Sequence, residues 1–131
     1  MWQTEQLQEI IAKHDGWTVE AQGESLVVTN EDGLTAFVAV SGEQILVETL
    51  LFEKDMVKDP NAFNEDILRT HKMFPLTSVG INNINNISYY IAFGSLSSQS
   101  KAESIMIEIG TQFANIEEIL ELYQDHLKGG K

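Results

Sequence analysis

Between Trp17 and Phe52 the chain alternates apolar and polar residues, and three glycine-bearing turns cut that stretch into short runs. Alternation with a period of two places successive side chains on opposite faces of an extended backbone, whereas a helix repeats every three or four residues. The breaks at Gly23-Glu24, Glu31-Asp32-Gly33 and Ser41-Gly42 are too short for a crossover helix and suit tight reversals. This region therefore predicts an antiparallel meander of three or four strands. Trp17, Val19 and Ala21 alternate in the first run, which is followed by Ser25–Asn30, Leu34–Val40 and Ile45–Phe52. Leu34–Val40 is almost continuously apolar and reads as a strand buried on both faces.

Helical periodicity brackets the meander. Leu7, Ile10, Ile11 and His14 repeat at helical spacing after Thr4, which is read as the N-cap, and Asp15-Gly16 ends the segment. A second helix starts at Asp59-Pro60, a capping side chain followed by a residue whose missing amide costs nothing there. It carries Phe63, Ile67, His71 and Phe74 on one stripe and should end near Met73, because Pro75 disfavours helical geometry in the residue before it. Thr77–Asn82 and Ile87–Leu96 form a hairpin around Asn83–Asn86, with Ile87, Tyr89, Ile91 and Phe93 facing one way. Ser100-Lys101-Ala102-Glu103 matches a capping box. The stripe from Ile105 to Leu127 predicts a last helix of about 27 residues, roughly 40 Å long. A bend is expected where Gly110 weakens it and Asn115-Ile116-Glu117-Glu118 could recap a second segment. The predicted class is α+β: helix, meander, helix, two-strand hairpin, helix, with one sheet and helices on one face. One domain over residues 1–131 is expected at this length. The predicted core includes Phe63, Ile67, Phe93, Ile109 and Phe113.

Charge narrows the functional classes. The chain carries 8 Lys+Arg against 20 Asp+Glu, a net charge of −12, and such a chain repels phosphate backbones. No basic cluster offsets this, so no nucleic-acid partner is expected. Residues 14–53 hold eight acids and no Lys or Arg, and residues 102–127 hold six acids and again no Lys or Arg. Residues 73–100 carry no charged side chain at all. Exposed edge strands are ordinarily guarded by charge. The uncharged hairpin is therefore either central in the sheet, with both faces covered by helices, or part of a subunit contact. Phe74, Val79, Ile81, Tyr89 and Tyr90 are the candidate partner or homodimer contacts.

Templates for chemistry are missing. Cysteine is absent, which excludes disulfide scaffolds, thiol catalysis and cysteine–zinc sites. Phosphate-binding, dinucleotide-binding, zinc-protease and EF-hand patterns do not occur. Ser98-Gln99-Ser100-Lys101 matches S-x-x-K but lacks the companion motifs of that enzyme class. The helix start leaves an alternative, an anion or phosphate site, or a small enzyme, at Ser98, Ser100 and Lys101. His14, His71 and His126 show no ligand spacing. Glu53, Asp55 and Asp59 read as a solvated acidic loop rather than a calcium site. No catalytic residues, metal or cofactor are assigned, and a non-enzyme is expected. No apolar run reaches membrane-span length. Met1–Glu5 lacks a basic or apolar leader region, so a cytoplasmic location is expected.

Two segments, Asp59–Leu76 and Tyr89–Ser97, resemble the YjfI-like family of uncharacterised bacterial proteins. The likeness spans most of the chain, and the Asn-rich turn departs from it. The resemblance implies an accessory or regulatory role beside a PspA-type membrane-stress protein, and it brings no catalytic residues. The element order and acidity are also similar to class I chaperones of type III secretion, which implies an acidic dimer that holds an extended partner segment. Architecture alone does not fix function. A non-enzymatic module that binds another protein, and itself as a homodimer, is the resulting expectation.

Overall fold

The computed structural model describes residues 1–129. Its elements run α1 (Thr4–Ala12), β1 (Thr18–Gln22), β2 (Ser25–Thr29), β3 (Thr35–Ser41), β4 (Gln44–Glu53), α2 (Pro60–Thr70), β5 (Ser78–Ile84), β6 (Ile87–Ser97) and α3 (Ala102–Leu122). The six strands form one antiparallel sheet in the order β1-β2-β3-β4-β6-β5. The α+β class and the meander are as the turns demanded.

The helices cover one face of the sheet. Leu26, Val38 and Val47 lie across neighbouring strands in register, and they pack with Leu7 and Ile11 of α1 and Ile105, Ile109 and Phe113 of α3. A second apolar cluster joins Phe63 and Ile67 of α2 to Tyr90 of β6 and to Ile119 and Tyr123 at the end of α3. In β3, Ala36 and Val38 are buried while Phe37 and Ala39 are only half-buried. The expectation that this strand is buried on both faces is therefore corrected: among the described residues no helix lies on its other side, and Phe37 and Ala39 are only half-buried there.

The same one-sidedness corrects the reading of β6. Ile87, Tyr89, Ile91 and Phe93 do share a face, but it is the one opposite the helices: Ile91 is buried there at 7% exposure, while Phe93 is 37% exposed. Tyr90 and Ala92 point under the helices instead. Phe63, Ile67, Ile109 and Phe113 are buried; Phe93 is not part of that core.

Helix ends differ from the sequence reading in three places. Thr4 is the first residue of α1 rather than its cap, and the Gln3 amide donates to Gln6 Oε1 at 3.0 Å. His14 lies beyond α1 and stacks on Trp17 at 3.6 Å. Lys101, not Ser100, caps α3, and no side chain accepts from its first turn; Ser100 instead gives its carbonyl to the Trp2 indole at 2.6 Å. In α2, Asp59 accepts from the Ala62 amide at 3.3 Å as expected, and a 3-10 turn, His71–Met73, follows.

α3 is 21 residues long and then passes into a 3-10 turn, Gln124–His126. It continues as helix through Gly110 and Asn115, so Asn115 does not recap a second segment. Its amide is used elsewhere, donating to Pro75 O and Thr77 Oγ1, each at 2.8 Å. The β5–β6 hairpin turns through Asn85 and Asn86 at φ 52° and 68°, a left-handed pair that asparagine tolerates.

Candidate protein-docking site

The uncharged hairpin is neither wholly central nor wholly exposed. β6 is interior, flanked by β4 and β5, whereas β5 is an edge of the sheet. The sheet's two edges differ in kind. β1 carries Glu20 in its middle, while β5 reads Ser78-Val79-Gly80-Ile81-Asn82-Asn83-Ile84 with no charge. An edge strand exposes a row of unpaired backbone donors and acceptors, and a charge at its centre is the ordinary guard against pairing. One edge here is guarded and the other is not.

Beside β5 runs an apolar groove of about 280 Å³ lined by Ile67, Leu68, Val79, Ile81 and Tyr90. Leu68 is 77% and Ile81 48% exposed. Period-two geometry explains the lining. Val79 and Ile81 lie opposite Ala92 and Tyr90, on the face that carries α2, but at the margin where α2 ends its cover. Among the sequence-derived contact residues, Val79 and Ile81 thus line the groove, and half-buried Tyr89 lies on the open face. Phe74 and Tyr90 are held in the protein's own core at 5% and 1% exposure. The Tyr90 hydroxyl donates to Asn64 Oδ1 at 2.6 Å, and burial raises its pKa above the ordinary tyrosine value. Leu68, next to Ile67 of the helical stripe, is the groove residue that the sequence reading missed; its exposure depends on where α2 lies.

A polar seam runs under α3 between the two apolar clusters. Glu108, Gln112 and Asn115 are all buried, at a spacing that puts them on one helical face. Gln112 Nε2 donates to Thr49 Oγ1 at 3.1 Å, and Thr49 Oγ1 donates to Thr35 O at 2.8 Å. Glu108 Oε2 has no partner among the described residues and occupies the space that a Cβ at Gly94 would need. Burial raises the Glu108 pKa. Nothing in the sequence singles out Glu108 or Gln112 as facing inward, and Asn115 is read there only as part of a recap of the last helix.

The Ser98–Lys101 segment does not converge on a site. Ser98 is 1% exposed with its Oγ unpartnered, and its backbone is bonded to Glu43 O and to the Trp2 amide. Lys101 is exposed, and Ser100 lies between them with its carbonyl on Trp2. The histidines are apart: His14 is on Trp17, His71 Nδ1 lies 3.2 Å from Ile67 O, and His126 Nε2 lies 2.9 Å from Asp66 Oδ2. Among the described residues no three His, Asp or Glu side chains gather as a metal site, and no helix is long and apolar enough to cross a membrane.

Residues 1–127 match the bacterial family DUF2170, described as uncharacterised proteins conserved in bacteria. The chain belongs to that family. Within reach of this DUF2170 chain is the uncharacterised protein YjfI of Escherichia coli (strain K12), 34% identical over 89 residues, 68% of this chain and 67% of YjfI. The resemblance carried by Asp59–Leu76 and Tyr89–Ser97 thus points to the right family. Solved structures share the DUF2170 fold at low identity. YbjN of E. coli superposes with a TM-score of 0.65 at 14% identity, covering 88% of this chain and 90% of YbjN. The HopA1–SchA chaperone–effector complex matches with a TM-score of 0.62 at 9% identity, covering 86% and 88%. An uncharacterised protein from Methanothermobacter thermautotrophicus gives 0.65 at 10% identity, covering 95% and 98%.

Proposed function

We propose that this chain is a non-enzymatic protein-interaction module, an accessory or regulatory partner of another bacterial protein, that docks through the β5 edge and the groove between β5 and α2. The observation that carries the reading is the contrast between edges: Glu20 guards β1, and no charge lies anywhere on β5. A partner strand added at β5 gains main-chain hydrogen bonds, and side chains on its inner face enter the groove lined by Leu68 and Ile81. The fold shared with a chaperone–effector complex supports this class of activity. A PspA-type protein is the partner that the family resemblance favours, with the cytoplasm as the setting.

The same edge serves a homodimer. Two β5 strands pairing antiparallel would meet without a charge between chains of net charge −12, which would otherwise repel. Sedimentation equilibrium at high micromolar concentration tests this part: a dimer is expected, and a monomer ends the homodimer. Ile81→Lys places a charge at the centre of β5 without opening the core, since Ile81 is half exposed. It should yield a folded monomer that melts somewhat below the parent dimer, because association no longer stabilises it; a surviving dimer removes β5 from the interface. A rise in melting temperature with inorganic phosphate would favour the alternative site at Ser98, Ser100 and Lys101.

A further inference from the structure

The sheet is open at a second place. β4 pairs with β3 only over Gln44–Glu48, since the ladder stops at Phe37 opposite Glu48. β3 continues to Thr35 against β2, and β4 continues to Glu53 against β6. The two strands therefore part, and the register break between Leu50 and Phe52 bends β4 further, as a bulge does. Beyond Glu48, β4 has no strand beside it on the β3 side. The gap is a slot of about 350 Å³ whose walls are Leu34, Phe37, Leu50, Leu51, Ile116 and Leu120. Thr49 spans its inner end with the hydroxyl bond to Thr35 O.

The rim of the slot is acidic. Asp32 precedes the wall residues Gly33 and Leu34, and Glu117 follows Ile116. Interaction with the Asp32 carboxyl, by hydrogen bonding first and charge second, raises the Glu117 pKa. Two carboxyl groups so close leave charge that a cation would relieve. None is at hand in the surrounding elements, because residues 14–53 and 102–127 contain no Lys or Arg. An apolar slot, an unpaired length of strand and an uncompensated acidic rim thus occur together.

We infer that this slot holds an extended partner segment in which an apolar side chain is neighboured by lysine or arginine. The apolar group enters between Leu51, Ile116 and Leu120, the backbone runs along β4 beyond Glu48, and the cation lies against Asp32 and Glu117. This rests on the reading of the chain as a protein-interaction module, and it adds the chemistry of the partner.

Three capped hexapeptides serve as probes: alternating leucine–arginine, leucine–glutamate and serine–arginine. Each is titrated into ¹⁵N-labelled protein and followed by amide chemical shifts. The leucine–arginine peptide should perturb Leu34, Leu51, Ile116 and Leu120, and the other two should not. The double variant Asp32→Asn/Glu117→Gln, on exposed residues, should melt no lower than the parent and bind that peptide about tenfold more weakly at low salt. Equal binding by either control peptide, shifts spread over the acidic surface, no binding, or an unaltered affinity in the double variant would each overturn the inference. Shifts confined to β5 and α2 would also overturn it while leaving the proposed docking edge in place. If no peptide binds and Ile81→Lys has no effect on assembly, both readings fail.

Discussion

Gln112 and Thr49 are joined by a hydrogen bond of 3.1 Å in the middle of the protein, one on α3 and the other on β4. Neither is exposed by more than 5%. Thr49 hands the connection on to the Thr35 carbonyl at 2.8 Å, at the point where the β3–β4 ladder ends. A side chain thus makes the link that the diverging backbones no longer make.

Removing one partner should cost more than removing both. Thr49→Val leaves the Gln112 amide buried without an acceptor and should destabilise by about 1–3 kcal/mol. Thr49→Val with Gln112→Leu should recover part of that, because it removes the stranded Gln112 amide and leaves only the Thr35 carbonyl without its Thr49 donor. A double-mutant cycle in denaturant reads the coupling directly; purely additive losses would show that the bond contributes little.

Glu108 should make stability depend on pH. Its folded pKa is raised by burial, so the folded state holds a proton that the unfolded chain releases once pH exceeds the ordinary carboxylate value. Stability from this group is therefore intact at acid pH and falls as pH rises through the window between the unfolded and folded values. Glu108→Gln should melt a few degrees higher than the parent at neutral pH, with the gain vanishing below about pH 4. An equal gain at both pH values would detach the effect from ionisation.

Gly94 leaves no room for a side chain. A Cβ there would lie 2.7 Å from the Leu76 carbonyl and against Glu108 Oε2, and backbone cannot step aside as a flexible side chain can. Gly94→Ala should cost about 1–3 kcal/mol in urea titration, whereas Gly110→Ala, with Trp17 at 3.7 Å, should be neutral or stabilising.

Phe63 and Phe93 separate the covered face from the open one. Phe63 is fully buried among Phe52, Tyr90 and Tyr123, so Phe63→Ala should cost about 3–5 kcal/mol. Phe93 lies on the open face against Gly80, and Phe93→Ala should cost less than half as much. Comparable losses would mean that something covers the open face in solution.

Salt should stabilise the chain. A net charge of −12 repels itself in the compact state, and added salt screens that repulsion. The melting temperature should rise between low and moderate salt; a flat or falling trend would show that the acids are well separated.

Sequence by itself determined the order and kind of the elements, since they follow from local chemistry. Gly23, Gly33 and Gly42 all take positive φ where the meander reverses. Asp59-Pro60 starts α2 because capping is decided within four residues, and the Asn85-Asn86 turn is equally local. Acidity, the uncharged hairpin and the family resemblance were legible in the same way. Tertiary structure alone decided which side of each strand is covered. Period two groups Tyr89 with Phe93 and Tyr90 with Ala92 but does not say which pair meets a helix, so the sequence reading puts Phe93 in the core and Tyr90 at a partner contact, the reverse of what the fold does. It also decided that Ser100 spends its carbonyl on Trp2 rather than capping α3 and that Asn115 serves the Pro75–Thr77 segment, residues 38 to 40 positions away. The β3–β4 slot and the groove beside β5 are gaps between elements, set by where strands part and helices end, and no local pattern encodes a gap.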